Sequence, residues 1–485
     1  MEKSVSSLLL IVSLMVMCFT FLNMPLVWAE PFTIYIKADG SIDPATANIT
    51  TVDNCTYTFT DNNRGGIIVE RDNIVLDGAG YVLQGIQNGS WLEPNPNDTI
   101  VGVNLTGRNN VTIQNLNIVN VPCGIRLHAT NCTVRENMIN TGGPFLYDVG
   151  VLLWGDDNTI VENTFAQCWI GVDLVASGNT VLRNKFVNIG ISIQAGFQLV
   201  GWRTNNVISE NNFYGPTMLI VESSIDTFYH NNFYFSRPMI AYWSQANWNE
   251  TYPVGGNYWS DYSSPDLYCG PFQNETGSDG IGDTRFVLAE NQTDNYPLMG
   301  PWTMSGESIT VKLLTGPTRG VVTIAEVTKG GITTFKAQTG SDPPQGLRPV
   351  SCCNITTKAE YSGNVEVTLP YDPTNMTQME ERILRIMQWN ETTLAWTNIT
   401  ANVDTELDKI TGQTTSLSLF AVMWRLGGDV NGDFTVDLYD AILLAGSYNT
   451  TPQSPTWNAN ADLNNDNTID LYDAIILAGN YGRTV

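Results

Sequence analysis

NTIVENTF at Asn158–Phe165, NTVLRNKF at Asn179–Phe186 and NVISENNF at Asn206–Phe213 are copies of one pattern. An earlier copy, CTVRENMI, covers Cys132–Ile139, and a later one, DTFYHNNF, covers Asp226–Phe233. The copies recur at intervals of 20 to 27 residues. A strand-like tetrad punctuates them: GIRL from Gly124, GVLL from Gly150, GVDL from Gly171 and GISI from Gly190. β-Branched residues alternate with polar ones at period two, and no helical pattern intervenes. A coil-length unit that cannot bury its apolar side alone must stack on its neighbours. The pattern therefore predicts a parallel β-solenoid from about Gly65 to Phe235.

Superposed, the copies form columns. Val134, Ile160, Val181, Ile208 and Phe228 make one inward apolar ladder, and Ile139, Phe165, Phe186, Phe213 and Phe233 another. Asn137, Asn163, Asn184, Asn211 and Asn231 make an asparagine ladder at a turn. There each amide meets the next rung about 4.8 Å away, so these asparagines read as structural. With its flanks (IYIKADGSI from Ile34, GIIVERDNIVLDGAG from Gly66, GNYWSDY from Gly256, then DGIGDT and DNYPLMGPW), the region resembles right-handed parallel β-helix proteins of the NosD-like, carbohydrate-binding and sugar-hydrolysis superfamily. The resemblance covers about Phe32 to Trp302. It implies the fold more than a function, because one scaffold hosts lyases, hydrolases and plain binders.

From Glu307 to about Trp424, strand-like runs such as SITVKLL, GVVTIAEV, VEVTLPY, ILRIMQW and LSLFAVMW alternate with Gly, Pro and Asn turns. They predict a β-sandwich, similar to an immunoglobulin-like spacer.

An acidic motif then appears twice, DVNGDFTVDLYD at Asp429–Asp440 and DLNNDNTIDLYD at Asp462–Asp473. Oxygen-bearing side chains fall at loop positions 1, 3, 5, 9 and 12: Asp429, Asn431, Asp433, Asp437 and Asp440, then Asp462, Asn464, Asp466, Asp470 and Asp473. The carbonyl of Thr435 or Thr468 takes position 7. Such spacing folds hard oxygen donors around one point, which predicts two Ca2+ sites. Without a cation, each loop would crowd four carboxylates together at a Coulomb cost. AILLAGSY and AIILAGNY follow, each reading as about one and a half helical turns stopped by Gly446 or Gly479, with the two copies burying each other's apolar faces.

A calcium loop followed by a helix, duplicated at the C-terminus, resembles the type I dockerin module of cellulosomal enzymes. The resemblance spans Gly428 to Val485 and implies a cohesin-like docking partner. Position 6, usually Gly, is Phe434 in one copy and Asn467 in the other. Phe tolerates a left-handed backbone poorly, which predicts the weaker site in the first loop. Positions 10 and 11, often small hydroxyl residues in that family, are Leu438-Tyr439 and Leu471-Tyr472.

The 485 residues carry a net charge of −25, which argues against nucleic acid and anionic membrane surfaces. The apolar stretch from about Leu8 to Val27, then Val27-Trp28-Ala29, reads as a secretory signal cut after Ala29; uncleaved, it would be a membrane anchor. Asn-x-Ser/Thr sequons are dense, consistent with an exported glycoprotein. Cys123 and Cys132 are placed to bridge neighbouring turns, and Cys352-Cys353 are adjacent. The expected class is mainly β: signal peptide 1–29, right-handed parallel β-helix 30–302, immunoglobulin-like β-sandwich 303–426, and a small α calcium-binding dockerin module 427–485. The expected location is secreted, extracellular or at the cell surface.

Two outward columns bear on catalysis. Glu136, Glu162, Arg183, Glu210 and His230 follow one another at a turn. One rung spacing would bring Glu136 and Glu162 to the roughly 5 Å of a retaining glycosidase pair. The plainer reading is a charge ladder that stabilises stacking. The other column reads Arg126, Leu152, Asp173, Ser192 and Leu219, where Asp173 has no carboxylate on adjacent rungs. Tyr242, Trp243, Trp248, Tyr252, Tyr258, Trp259 and Tyr262 suggest a cap over the solenoid end, whereas Trp154, Trp169 and Trp202 are open to a glycan role. Three functions compete: a glycan binder with a docking module, a polysaccharide lyase or glycoside hydrolase on the same scaffold, and copper delivery. Copper is weakest, because Cu(I) favours thiolate, thioether or imidazole and only His128 and His230 are present. The lack of a clear carboxylate or Arg-calcium cluster favours the binder.

Overall fold

The computed structural model describes residues 33–85, 101–142, 148–195, 205–215, 218–221, 225–240, 244–314, 319–338, 342–344, 346–374, 376, 378–464 and 466–484. The expected signal segment, Trp202, Tyr242 and Trp243 lie outside them. Among the described residues no helix is long and apolar enough to cross a membrane. The chain forms two compact units: residues up to 158 with 163–174, and 159–162 with 175 onward.

In the first unit, three parallel sheets form the sides of a solenoid. One face stacks Ile34–Ile36, Ile67–Val69, Val101–Asn104, Cys123–Leu127, Val149–Leu153 and Ile170–Leu174. Thr56–Phe59, Val75–Asp77, Thr112–Gln114 and Thr133–Arg135 form the second. The third runs from Asn63–Arg64 through Met138–Asn140 to Thr164–Ala166. Antiparallel partners, Ile42–Asp43 and Ile49–Thr50, close its start. Val134, Ile139 and Phe165 are fully buried, as an inward ladder requires. Asn137 donates its backbone N–H and its Nδ2–H to Asn163 Oδ1, both at 3.0 Å.

The second unit contains the same three-sided coil. Ile160, Val181, Ile208 and Phe228 fill one inward column. Phe186, Phe213 and Phe233 stack at 4.9 and 4.8 Å in the other. The asparagine ladder runs from Asn184 through Asn211 and Asn231 to Asn257, one rung beyond the recognisable repeats. A second ladder stands at the first letter of each copy, where Asn179 N–H donates to Asn206 Oδ1 and Asn206 N–H to Asp226 Oδ1. Trp248 lies on Phe228 at 4.6 Å and Trp259 on Phe233 at 4.3 Å, both tryptophans buried. These two rings are the aromatic cap.

Two features depart from expectation. In the fourth tetrad-bearing strand, Ile191–Ala195, a register irregularity at Ser192 sets Ile193 opposite Leu219. Ser192 is buried rather than outward, so the column through Ser192 and Leu219 breaks there. The seven described cysteines are free, including Cys123 and Cys132. Cys132 instead receives the Val111 N–H on its Sγ.

Beyond the cap, antiparallel strands form a sandwich of two sheets. One orders Trp302–Thr303, Gly331–Ala337, Arg348–Thr357, Leu419–Trp424, Arg385–Asn390 and Ala395–Asn398; the other orders Gly306–Leu313, Gly320–Lys329, Glu360–Pro370, Lys409–Thr414 and Thr400–Asp404. Among the described residues there are three helices: α1 (Gln378–Arg382), α2 (Leu438–Gly446) and α3 (Leu471–Asn480). α2 and α3 begin inside the acidic motifs and run about two and a half turns, longer than expected. Neither Gly446 nor Gly479 takes a left-handed backbone; Asn449 and Gly482 do, just beyond the helices. The helices do not merely bury each other. Leu444, Ile476 and Leu477 join one continuous core with Ile386, Val422 and Trp424 of the sandwich.

Candidate calcium loops and the solenoid face

Backbone N–H groups in each acidic loop turn toward its carboxylates. Asp429 Oδ1 accepts from Gly432 at 2.7 Å and Asp433 at 3.2 Å, and its Oδ2 accepts from Phe434 at 2.9 Å. Asp440 reaches back from α2: Oδ1 accepts from Val430 and Asn431, and Oδ2 from Asp437, closing a capping box. The second loop repeats this, with Asp473 accepting from Leu463, Asn464 and Asp470, and Asp462 from Asp466 and Asn467. Asn431 and Asn464 donate to Asp433 and Asp466, each at 2.9 Å. Thr435 and Thr468 donate their N–H groups to the same two aspartates, leaving their carbonyls as remaining donors to a cation. The loops are tied crosswise: Val436 exchanges bonds with Arg483 and Gly482, and Ile469 with Asn449 and Thr450.

Asp429, Asp440, Asp462 and Asp473 are buried. Burial raises the Asp429 carboxyl, the loop N–H groups oppose it, and the nearby Asp440 charge raises it further. Asp462 is raised the same way, with Asp473 and Asp466 as the like charges. Among the described residues no three His, Cys, Asp or Glu side chains stand together as a compact metal cluster. Each loop instead spreads hard donors over carboxylate, amide and backbone carbonyl, a set that fits Ca2+ and no soft ion.

Phe434 and Asn467 both sit at left-handed φ, +64° and +65°. The Phe434 strain has a counterpart the motif did not reveal: the Arg348 guanidinium lies over its ring at 4.0 Å. Arg425 donates to the carbonyls of Asp429 and Asn460 at the base of both loops. Glu380 on α1, almost fully buried, pairs with Arg483 at 2.9 Å. Tyr439 and Tyr472 remain 68% and 67% exposed, and Leu438 and Leu471 63% and 61%, so neither repeat's outer face is covered.

On the solenoid, Glu136, Glu162, Arg183, Glu210 and His230 all take left-handed φ, between +55° and +59°. The turn fixes their direction, which no Gly or Asn in the sequence betrayed. Glu136 contacts Arg135 at 3.3 Å in the first unit. In the second, Glu162 pairs with Arg183 at 3.0 Å, and Arg183 also donates to Ser305. Burial raises the Glu210 carboxyl, with Arg183 pulling it down. His230 stacks on Trp302 at 3.4 Å and its Nε2 meets the Val254 carbonyl. Glu162 is thus engaged as a rung of a charge ladder. Asp173, paired in register with Leu152, lies on the first unit's first face. Burial pushes its carboxyl up to about 6, with no partner for its buried Oδ1. Asp148 is spent on structure, accepting from Trp169 N–H and the Thr141 hydroxyl.

Residues 39–264 match the family model described as periplasmic copper-binding protein (NosD), and residues 427–480 match the dockerin type I domain. No curated protein matches the chain. Among solved structures, an alginate lyase from Paenibacillus sp. str. FPU-7 is 14% identical over 41% of this chain and 75% of its own, with a TM-score of 0.23. The tailspike protein of E. coli bacteriophage HK620, in complex with a pentasaccharide, is 12% identical over 82% of this chain and 79% of its own, with a TM-score of 0.27. The chain carries a NosD-like parallel β-helix region and a type I dockerin module.

Proposed function

We propose that this NosD-like solenoid with a dockerin tail is a secreted glycan-binding protein, displayed outside the cell by its calcium module. Dockerin type I modules bind calcium and occur in extracellular or cell-surface proteins. The carrying observation is the duplicated loop, in which Asp440 and Asp473 are wholly buried yet keep their loops closed around like charges. One Ca2+ would be held by Asp429, Asn431, Asp433, Asp437, Asp440 and the Thr435 carbonyl. A second would be held by Asp462, Asn464, Asp466, Asp470, Asp473 and the Thr468 carbonyl. Each ion supplies the positive charge that four carboxylates require. Leu438-Tyr439 and Leu471-Tyr472 then face a cohesin-like partner with apolar side chains where hydroxyls are usual. The half-exposed Trp154 and Trp169 on the solenoid support a polysaccharide or cell-surface glycan as ligand.

The division follows the sequence reading: 1–29 removed on export, 30–302 holding glycan, 303–426 as spacer, and 427–485 docking. Titrating Ca2+ into the chelator-stripped full chain should release heat in two events and increase ordered structure. Retention of the chain on a glycan panel, without product release, completes the test. Absence of both heat and ordering overturns the calcium half, and absence of retention the glycan half.

A lyase or glycoside hydrolase on the same face is the second reading. It is favoured by Asp173, whose carboxyl, pushed up to about 6 by burial, would exchange a proton in mildly acidic solution. It requires soluble product from a retained glycan, lost in Asp173→Asn. Copper, named in the matching family's description, finds poorly suited donors among the described residues. His230 is stacked on Trp302 and its Nε2 is taken by the Val254 carbonyl. Burial pushes the Cys123 and Cys353 thiols up to about 12 and that of Cys168 to about 11, away from the thiolate form.

A further inference from the structure

The first face of the first unit carries a strip whose polar groups are unusually idle. Pairing register places Asn104, Arg126, Leu152 and Asp173 side by side on successive strands. Three rung spacings make this row roughly 14 Å long. Just past the ends of the two middle strands, His128 and Trp154 lie against each other, ring centroids 4.7 Å apart and planes 22° apart. Trp154 is 51% exposed, so one indole face rests on imidazole and much of its surface meets solvent.

Around this platform the usual partners are missing. Arg126 forms no ion pair among the described residues, although the chain has 48 acidic residues against 23 Lys and Arg. His128 Nε2 and Asp173 Oδ1 are buried without a hydrogen-bond partner. Burial, then Arg126, lowers the His128 imidazole, so at neutral pH it offers an uncharged ring nitrogen. Buried polar atoms left unpaired are costly, and a ligand's hydroxyls would relieve that cost. An exposed aromatic face suits the apolar side of a sugar ring, and a free guanidinium suits a carboxylate in bidentate fashion.

We propose that this strip binds an acidic polysaccharide, one containing uronate residues, with a sugar ring on Trp154 and its carboxylate on Arg126. Asp173 takes a sugar hydroxyl. The assignment rests on the glycan-binding reading and narrows its ligand class.

The full chain, calcium-loaded, is run in affinity electrophoresis against polygalacturonate, alginate and neutral dextran at several NaCl concentrations. Retention by the uronates, weakening with salt, is expected. Trp154→Ala should weaken it at least ten-fold. Arg126→Gln should do the same and flatten the salt dependence, while Arg126→Lys restores part of both. Melting temperature checks the fold; if Arg126→Gln unfolds, the Trp154→Ala and Arg126→Lys comparisons decide. Uronate retention unchanged in Trp154→Ala and in the Arg126 variant, or dextran held as tightly as the uronates, overturns this inference and leaves the glycan-binding reading standing. A chain that retains no glycan from the wider panel overturns both.

Discussion

Asn211 donates both its backbone N–H and its side-chain Nδ2–H to one oxygen, Asn231 Oδ1, each at 3.0 Å. Its own Oδ1 in turn accepts from Asn184 N–H at 2.8 Å, and its Nδ2–H also reaches the Val181 carbonyl. One side chain therefore closes the corner of three rungs. Asn211→Ala strands the buried Asn184 N–H, a loss of about 1–3 kcal/mol. Urea unfolding should show it as a lower midpoint. Asn211→Asp keeps the acceptor but sets a buried carboxylate against the Val181 and Ser209 carbonyls, so near neutral pH it should destabilise at least as much as Ala.

Glu162 and Arg183 stand 3.0 Å apart, with both side chains partly exposed, so their pairing contributes at most about 1 kcal/mol. The ladder reading predicts that Glu136→Gln/Glu162→Gln changes stability by less than about 2 kcal/mol and leaves glycan retention intact. If the chain releases sugar products, their rate should also be unchanged. A fall of a hundred-fold or more would restore the glutamates to catalysis.

The inward columns and the main asparagine ladder were legible because stacking forces one residue type to recur at one coil position. The second ladder, Asn179, Asn206 and Asp226, was equally visible as the first letter of each copy. Its role is hidden because a residue at a strand entry resembles ordinary turn chemistry. The Ser192 irregularity was not legible: a bulge leaves the residue pattern unchanged and shifts only the pairing. In the acidic loops, donor spacing announced which carboxylates turn toward the same loop backbone. Arg348 over Phe434 and Arg425 beneath both loops are contacts between distant stretches of sequence, and local pattern carries no trace of them.

Asp294 is fully buried, accepting from Asn257 N–H, Trp259 Nε1–H and Tyr296 N–H. Burial outweighs these donors and pushes its carboxyl up to about 7. Between the unfolded value near 3.8 and that level, the folded chain retains a proton the unfolded chain has released. Its contribution is therefore greatest below about pH 4 and declines as pH rises toward 7. Unfolding free energies of wild type and Asp294→Asn across pH 4–8 should differ by a pH-dependent amount that levels off above about 7. Parallel curves would refute the shift.

Arg483 neutralises Glu380 from the end of the chain. Arg483→Ala leaves a buried carboxylate unpaired, a cost of about 3 kcal/mol, at the low end for such losses because Arg483 itself is partly exposed. Adding Glu380→Gln should recover most of that loss. Thermal unfolding of the sandwich, followed by tryptophan fluorescence, is the readout, since an independent tail would leave it unmoved.

Because Leu426, Val436, Leu463 and Leu477 share a core with Ile386 and Trp424, the terminal module behaves as one more layer of the sandwich. Tension arriving at its outer faces is carried in shear by interlocked side chains, not taken up by slack chain. Whatever those faces grip is consequently held at a fixed bearing to the sandwich, as a bracket holds rather than a tether.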